Sequence, residues 1–380
     1  MIFAFTDEQR ELAATLRRFL QDKSSSSEVR RLMQTEAGYD PRTWSQLAGQ
    51  LGLPGLVIPE KHGGSGAGPV ELAVASEEMG RALLCAPFFA TAVLAAQALL
   101  ASGDEAAQEE FLPGIADGAT IATVAVCEDD GGWTTDGVAT RARRSGDGYV
   151  LDGRKSFVID GHTAGLLLVV ARADGGPSLF AVRGDADGLG RRPLETLDLT
   201  RKQAALALDA VPARLIGAEG SAADVVAATL RLGAVALAAE QVGGAQRCLD
   251  MSVEYAKIRM QFGRPIGSFQ AIKHMCADML LEVESARSAA YYAAWAAQDE
   301  SDELPLVSSM AKAYCSEAYF RAAADNIQIH GGIGFTWEHD AHLYYRRAKS
   351  TELMLGTPGE HREIAAGYLI DKASPAGGDQ

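Results

Sequence analysis

Three short stretches carry residue types suited to holding an anion. The first is Arg259-Met260-Gln261-Phe262-Gly263, behind a long apolar stretch and ahead of Pro265. A guanidinium there can pair with a phosphate oxygen through charge-assisted hydrogen bonds. By residue type alone it serves equally as a cation closing a helix C-terminus. The second is Gln328-Ile329-His330-Gly331-Gly332-Ile333-Gly334. Its glycines let backbone approach a ligand and expose N–H groups to an anion, with the Gln328 amide beside them; they also read as a plain helix stop. His330 reads as a packing histidine. The third is KSTELMLGTPGEHRE, 349–363, where a helical pattern breaks at Gly356-Thr357-Pro358 and resumes. Leu355 stands in that break and has no titratable group.

Composition bounds the partners. Over 380 residues, Asp and Glu number 50 against 35 Lys and Arg, a formal net charge of −15. That balance argues against nucleic acid or an anionic membrane surface as the main partner. Cys85, Cys127, Cys248, Cys276 and Cys315 are scattered, without a CxxC, and read as reduced, mostly buried thiols of a cytoplasmic protein. His339 and His342 lie close together but lack a third ligand nearby, so no metal site is expected. The N-terminal MIFAFTDEQRELAATL lacks the features of a signal peptide. The apolar stretch 86–101 is shorter than the ~18–20 residues a membrane span requires and reads as a buried helix, so no membrane span is expected.

The elements that must position these residues fall into three regions, an α+β multi-domain plan. Residues 1–119 read as an all-α domain, opening on a helix behind a Thr6 cap with Glu8 and Gln9 in its first turn. From Ile121 the texture becomes short β runs punctuated by DDGG, GDG, DGG and GDADG, which predicts a middle antiparallel β domain over 120–217. Residues 218–372 return to long helices with short Gly/Pro connections, a C-terminal four-helix bundle. The tail 373–380 is expected to be disordered.

With this plan in view, YAKIRMQFGRPIGSFQAIKHMCADM (255–279), DNIQIHGGIGFTWEHDAHLYYRRAKS (325–350) and Gly356-Thr357 together resemble the acyl-CoA dehydrogenases, in that family's order and spacing over nearly the whole chain. The resemblance implies FAD held at a subunit interface of a tetramer and an acyl-CoA substrate. It also implies α-proton removal by a carboxylate with hydride transfer to the flavin, and an electron-transfer flavoprotein or similar acceptor. It places Arg259, Gln261, Phe262, Gln328, Gly332 and Thr357 among the bundle-side cofactor contacts. Arg259 and Gln328 would face the pyrophosphate or adenine end, Phe262 the adenine or ribose side, and Thr357 a flavin phosphate or ribose.

Elsewhere the sequence departs from the family pattern. Where the β domain normally reads Thr-Glu-Pro, it has Cys127-Glu128-Asp129, keeping only the Glu and replacing a hydroxyl donor by a thiol. Where it normally reads Trp-Ile-Thr-Asn-Gly, it has Phe157-Val158-Ile159-Asp160-Gly161. The flanking aromatic is kept in type, and the threonine that bonds flavin N5 has become Ile159. The base position directly before Gly-Thr is Leu355. The alternative base position on the first long bundle helix falls on Gly233, with Ala234 in place of a neighbouring arginine. Glu240, two turns further along that helix, is a charged residue in an apolar run. It is expected to pair with a bundle arginine such as Arg259 or Arg264, or else to act as a relocated base. Glu352 is expected on a different side of its helix from Leu355, and Glu360 in solvent.

Four readings follow. The chain is a subunit of a heterotetramer, lending bundle-side FAD contacts to a catalytic acyl-CoA dehydrogenase partner. It is a self-sufficient homotetrameric dehydrogenase with a relocated base. It is a flavin oxidase or monooxygenase on the same fold. Or it binds acyl-CoA without catalysis. The Gly- and Ala-rich run 227–245 either leaves room for a bulky acyl group, branched, ring-bearing or steroid-like, or serves tight helix packing.

Overall fold

The computed structural model describes residues 5–373; most of the tail expected to be disordered, 374–380, lies outside the described residues. In chain order the helical start comprises α1 (Asp7–Lys23), α2 (Ser26–Leu32), α3 (Pro41–Leu51) and α4 (Pro69–Arg81). A π-helical segment, Phe89–Ala95, then runs into α5 (Ala96–Ala101), followed by α6 (Glu105–Ala116). The strands are β1 (Ala122–Ala125), β2 (Arg141–Ser145), β3 (Gly148–Ile159), β4 (Leu166–Ala173), β5 (Gly176–Arg183), β6 (Leu189–Pro193) and β7 (Gln203–Ile216). The last part holds α7 (Ala222–Ile258), a hairpin of β8 (Met260–Gln261) and β9 (Arg264–Pro265), then α8 (Gln270–Gln298), α9 (Leu304–His330), α10 (Ala341–Leu353) and α11 (Pro358–Ala373).

Two compact units are built from this order. One joins the segment ending at Val29, Pro69–Leu84 and the chain from Ala234 onward; the other holds Arg30–Gly68 and Cys85–Gly233. In the first, α1 starts where the sequence predicts, with a reciprocal capping box between Thr6 and Gln9. Its core interleaves alanines of α7, α8 and α9, including Ala238, Ala239, Ala290, Ala294, Ala311 and Ala318, with Val70 and Val74 of α4. Small side chains let these helices approach closely. Gly243 shows the limit: a Cβ there would stand 1.8 Å from the Glu77 carbonyl oxygen of α4. Among the described residues α7, rather than the 86–101 stretch weighed from sequence, is long and apolar enough to cross a bilayer, and 61% of its most apolar window is buried.

In the second unit, β4, β5, β7, β3 and β2 pair in turn and β2 returns to β4, closing a ring with β1 and β6 at its margins. The pairings are antiparallel except those of β4 with β1 and β2, which are parallel. No hairpin turn announces these partners in sequence, because β1 and β4 are separated by the whole of β2 and β3. Leu151, Leu167, Val169, Phe180, Leu206 and Val211 fill its core. β6 was not foreseen as a strand: Leu189–Pro193 is polar and mostly exposed, as suits an edge.

Candidate functional site

The break after α10 is a tight corner built by buried side chains. Leu355 is 3% exposed and adopts φ 60°, a left-handed conformation that costs an L-residue about 1–2 kcal/mol. Gly356 follows at φ 106°. Lys312 of α9, fully buried, donates from Nζ to the carbonyls of Glu352 (3.1 Å) and Gly356 (3.0 Å) and to Ser316 Oγ (3.1 Å). Burial strips its hydration and draws its pKa down to about 7. His361 of α11 bonds the Leu355 carbonyl at 3.0 Å. Thr357 caps α11: its N–H and hydroxyl both donate to Glu360 Oε2, at 2.7 and 2.8 Å, and its Oγ1 accepts from the Glu360 N–H. Glu360 is exposed, as expected. The cofactor reading of Thr357 therefore concerns a hydroxyl already engaged in a helix cap. Lys312 and His361 were not foreseen from sequence, although a lysine inside the apolar-rich α9 was an available signal.

Glu240 is buried and paired, but with Arg347 of α10, at 2.9 Å, both side chains almost fully enclosed. The expected partners, Arg259 and Arg264, are wrong for a geometric reason. Nineteen helical residues place Arg259 roughly 28 Å further along the axis. The small residues between 234 and 245 are consumed by packing: a Cβ on Gly244 would sit 2.3 Å from Tyr319.

The bundle-side residues lie open. Phe262 and Gly263, at φ 52° and 74°, form the two-residue turn of the β8–β9 hairpin, with Gln261 opposite Arg264. Phe262 is 90% exposed, its ring edge-on to Phe269 at 6.0 Å. Arg259 and Gln261 are exposed, and no ion pair engages Arg259 among the described residues. Gln328 is exposed on the last turn of α9. Gly331 and Gly332 have nothing within 4 Å of a would-be Cβ, whereas Gly334 is pressed against His330 and Ile327. His330 is a packing residue, stacked on Tyr255 at 4.3 Å and bonded to the Asn326 carbonyl. Among the described residues no group of three metal-ligating side chains occurs.

In the β unit the family positions offer little to a flavin ring. Cys127 is buried, and burial pushes its thiol up to about 12. Ile159 is buried and apolar. Glu128, the retained residue, is occupied: it accepts from Thr140 N–H and hydroxyl, Ala139 N–H and the buried Lys155. Burial opposes its charge, yet these donors prevail and hold it at about 2. Phe157, at φ 57°, is exposed.

Comparison with known proteins fits this arrangement. Models of the N-terminal, middle and C-terminal domains of acyl-CoA dehydrogenase match residues 6–119, 123–210 and 220–369. The chain belongs to the acyl-CoA dehydrogenase family. It is 36% identical over 356 residues to the acyl-CoA dehydrogenase IpdE2 of Mycolicibacterium smegmatis, covering 93% of this chain and 96% of that one. Among solved structures it resembles a single-residue variant of the Tcur3481-Tcur3483 steroid ACAD (TM-score 0.87, 33% identity, 97% and 99% of the two chains). It also resembles the ChsE4-ChsE5 complex from Mycobacterium tuberculosis (TM-score 0.89, 29% identity, 99% and 100%). Membership in this family of oxidoreductases implies FAD. The residues of this acyl-CoA dehydrogenase-family chain divide in their fit to that cofactor. The exposed Arg259, Gln261, Phe262 and Gln328 and the uncovered Gly332 can receive it; Cys127 and Ile159 supply no strong donor for its ring.

Proposed function

We propose that this chain is the subunit of an acyl-CoA dehydrogenase heterotetramer that lends bundle-side contacts to FAD whose ring and base belong to a catalytic partner chain. The observation that carries the reading is Leu355, an apolar side chain buried in a corner fixed by Lys312 and His361, at the position where the family keeps its base. Two related structures are of paired chains, the Tcur3481-Tcur3483 steroid ACAD and the ChsE4-ChsE5 complex. FAD supplies the hydride acceptor for α,β-dehydrogenation of an acyl-CoA. In this reading Arg259 pairs with phosphate oxygens, Gln261 and Gln328 hydrogen-bond the pyrophosphate or adenine end, and Phe262 covers the adenosine. Gly332 gives backbone access, and Thr357 caps α11 beside the contact. Leu355 moves no proton and keeps its corner dry.

The same proposal takes a cytoplasmic setting, an electron-transfer flavoprotein-type acceptor, and domain boundaries at 119/120 and 217/218. Similarity to a steroid ACAD favours a bulky, ring-bearing acyl group. The deciding experiment is flavin stoichiometry, with the chain purified alone and co-expressed with a base-bearing acyl-CoA dehydrogenase chain from its own organism. The expected result is little flavin alone and about half a flavin per chain in a mixed tetramer. One flavin per chain in a lone homotetramer reduced by acyl-CoA would favour the self-sufficient reading and end this one.

A further inference from the structure

We infer that the cleft between α1, α2, α4, α7 and α10 is a binding site for a small monocarboxylate, an organic acid with one negative charge and an apolar body. The cleft measures about 300 Å³, and every residue lining it belongs to the first compact unit. That volume suits a small molecule. Its walls differ in kind. Leu20, Val29, Leu83, Met251 and Leu343 are buried and supply an apolar floor. Arg17, Gln21 and Arg247 stand nearer solvent and supply a polar rim. Arg247 and Met251, four residues apart on α7, share one helix face and join rim to floor.

Charge gives the ligand's sign. Three guanidinium groups line this cleft, in a chain whose formal net charge is −15. Two of them are spent. Arg17 forks onto Glu78, with Nε 2.9 Å from Oε2, and Arg81 pairs with Asp250. The lining acids are engaged as well, Glu78 by Arg17 and Asp340 by the Ser26 hydroxyl at 2.8 Å. Arg247 differs. Its carboxylate, Glu254, stands 3.7 Å away and is 69% exposed, an arrangement that contributes little. Carbonyls at the end of α4 already have donors: Ser24 on Ala82 and Tyr344 on Arg81. One available guanidinium fork matches one planar carboxylate through two parallel hydrogen bonds. The apolar floor then takes the body of the acid.

One wall is held against local preference. α4 ends in a Schellman turn, with the Leu84 N–H donating to the Met79 carbonyl at 3.0 Å and the Leu83 N–H to the Gly80 carbonyl at 3.2 Å. The left-handed position of such a turn usually belongs to glycine, and here it is Leu83, at φ 48°. Glycine would end the helix without strain and leave the wall bare. Strain that keeps an apolar side chain in a cleft wall points to a ligand with an apolar part. Ordinary helix packing explains Leu20 and Leu343, but it asks for no strain at Leu83 and no available fork at Arg247. The inference goes beyond the subunit reading, since none of these residues is among the bundle-side cofactor contacts.

The test is calorimetric titration of the purified protein, alone or in its complex, with octanoate, and with octan-1-ol and acetate as probes of its two halves. Octanoate is expected to bind at millimolar concentration or below, and the other two about tenfold more weakly or less well still. Arg247→Gln should weaken octanoate about tenfold. Gln21→Trp, which sets a bulky ring on the exposed rim, should weaken it as well. Arg259→Gln should leave it unchanged, which separates this cleft from the bundle-side cofactor contacts. Four results would overturn the inference. One is no octanoate binding at millimolar concentration. Another is full-strength binding in either Arg247→Gln or Gln21→Trp. A third is octan-1-ol or acetate matching octanoate. The last is Arg259→Gln weakening octanoate as much as Arg247→Gln does.

Discussion

His361 donates its Nε2–H to the carbonyl oxygen of Leu355 across 3.0 Å. A carbonyl only accepts, so the bond fixes the tautomer and leaves Nδ1 as a bare acceptor, buried without a partner. Burial, reinforced by the neighbouring Lys312 charge, lowers the His361 pKa to about 4. Together Lys312 and His361 hold the backbone on both sides of Leu355 and keep it in its left-handed corner.

A pH dependence follows from that tautomer. Unfolded His361 titrates near 6.5 and folded His361 near 4. Between those values the unfolded chain binds more protons, so stability is complete above about pH 6.5 and is lost as pH falls toward 4. The loss is at most about 3 kcal/mol. Melting temperature against pH, compared for the wild type and His361→Gln, checks it. The variant should show a shallower acid slope, and equal slopes would remove His361 as the cause.

Lys312→Met removes the donor to two half-buried carbonyls and a buried hydroxyl. Stranded acceptors cost about 1–3 kcal/mol. The variant should melt earlier and exchange amide hydrogens faster over 353–357 than elsewhere in the bundle. Exchange that rises evenly over all helices would mean Lys312 has no special hold on the corner.

The Glu240–Arg347 pair offers a double-variant test. Breaking a buried pair from one side leaves an uncompensated charge and costs about 3–5 kcal/mol, while apolar replacement of both is close to neutral. Arg347→Met and Glu240→Leu should each lower the melting temperature sharply, and the combined variant should recover much of the loss. Additive losses would show that the two side chains act independently.

Three positions separate the subunit reading from a simple missing base. In the lone chain, Cys127→Thr with Ile159→Thr should raise retained flavin, measured as visible absorbance per chain. Bleaching by an acyl-CoA should appear only when Leu355→Glu is added. If Leu355→Glu alone confers bleaching, the ring-side substitutions are neutral and the division of labour between chains loses its support.

The fold plan was legible because it is written in local periodicity: Thr6 and Gln9 cap α1 where expected, and Gly/Asp turns mark most of the strands. β6 was not legible, since an exposed edge strand such as Gly190-Arg191-Arg192 has no buried face to impose alternation on the sequence. The motif residues were legible as types: Phe262 and Gly332 stand at open backbone, and Leu355 is apolar and buried.

What the sequence determined alone was the family, the three-region plan and the missing carboxylate at 355, because each is a matter of residue identity and short-range order. Which residues meet was decided by tertiary structure. Arg347 rather than Arg259 neutralises Glu240, Lys312 caps a corner 44 residues ahead of it, and Arg154 and Arg192 come to share one face only through the register of β7. A buried charge announces in sequence only that it needs a partner. Which partner it finds depends on how helices and strands far apart in the chain are brought side by side.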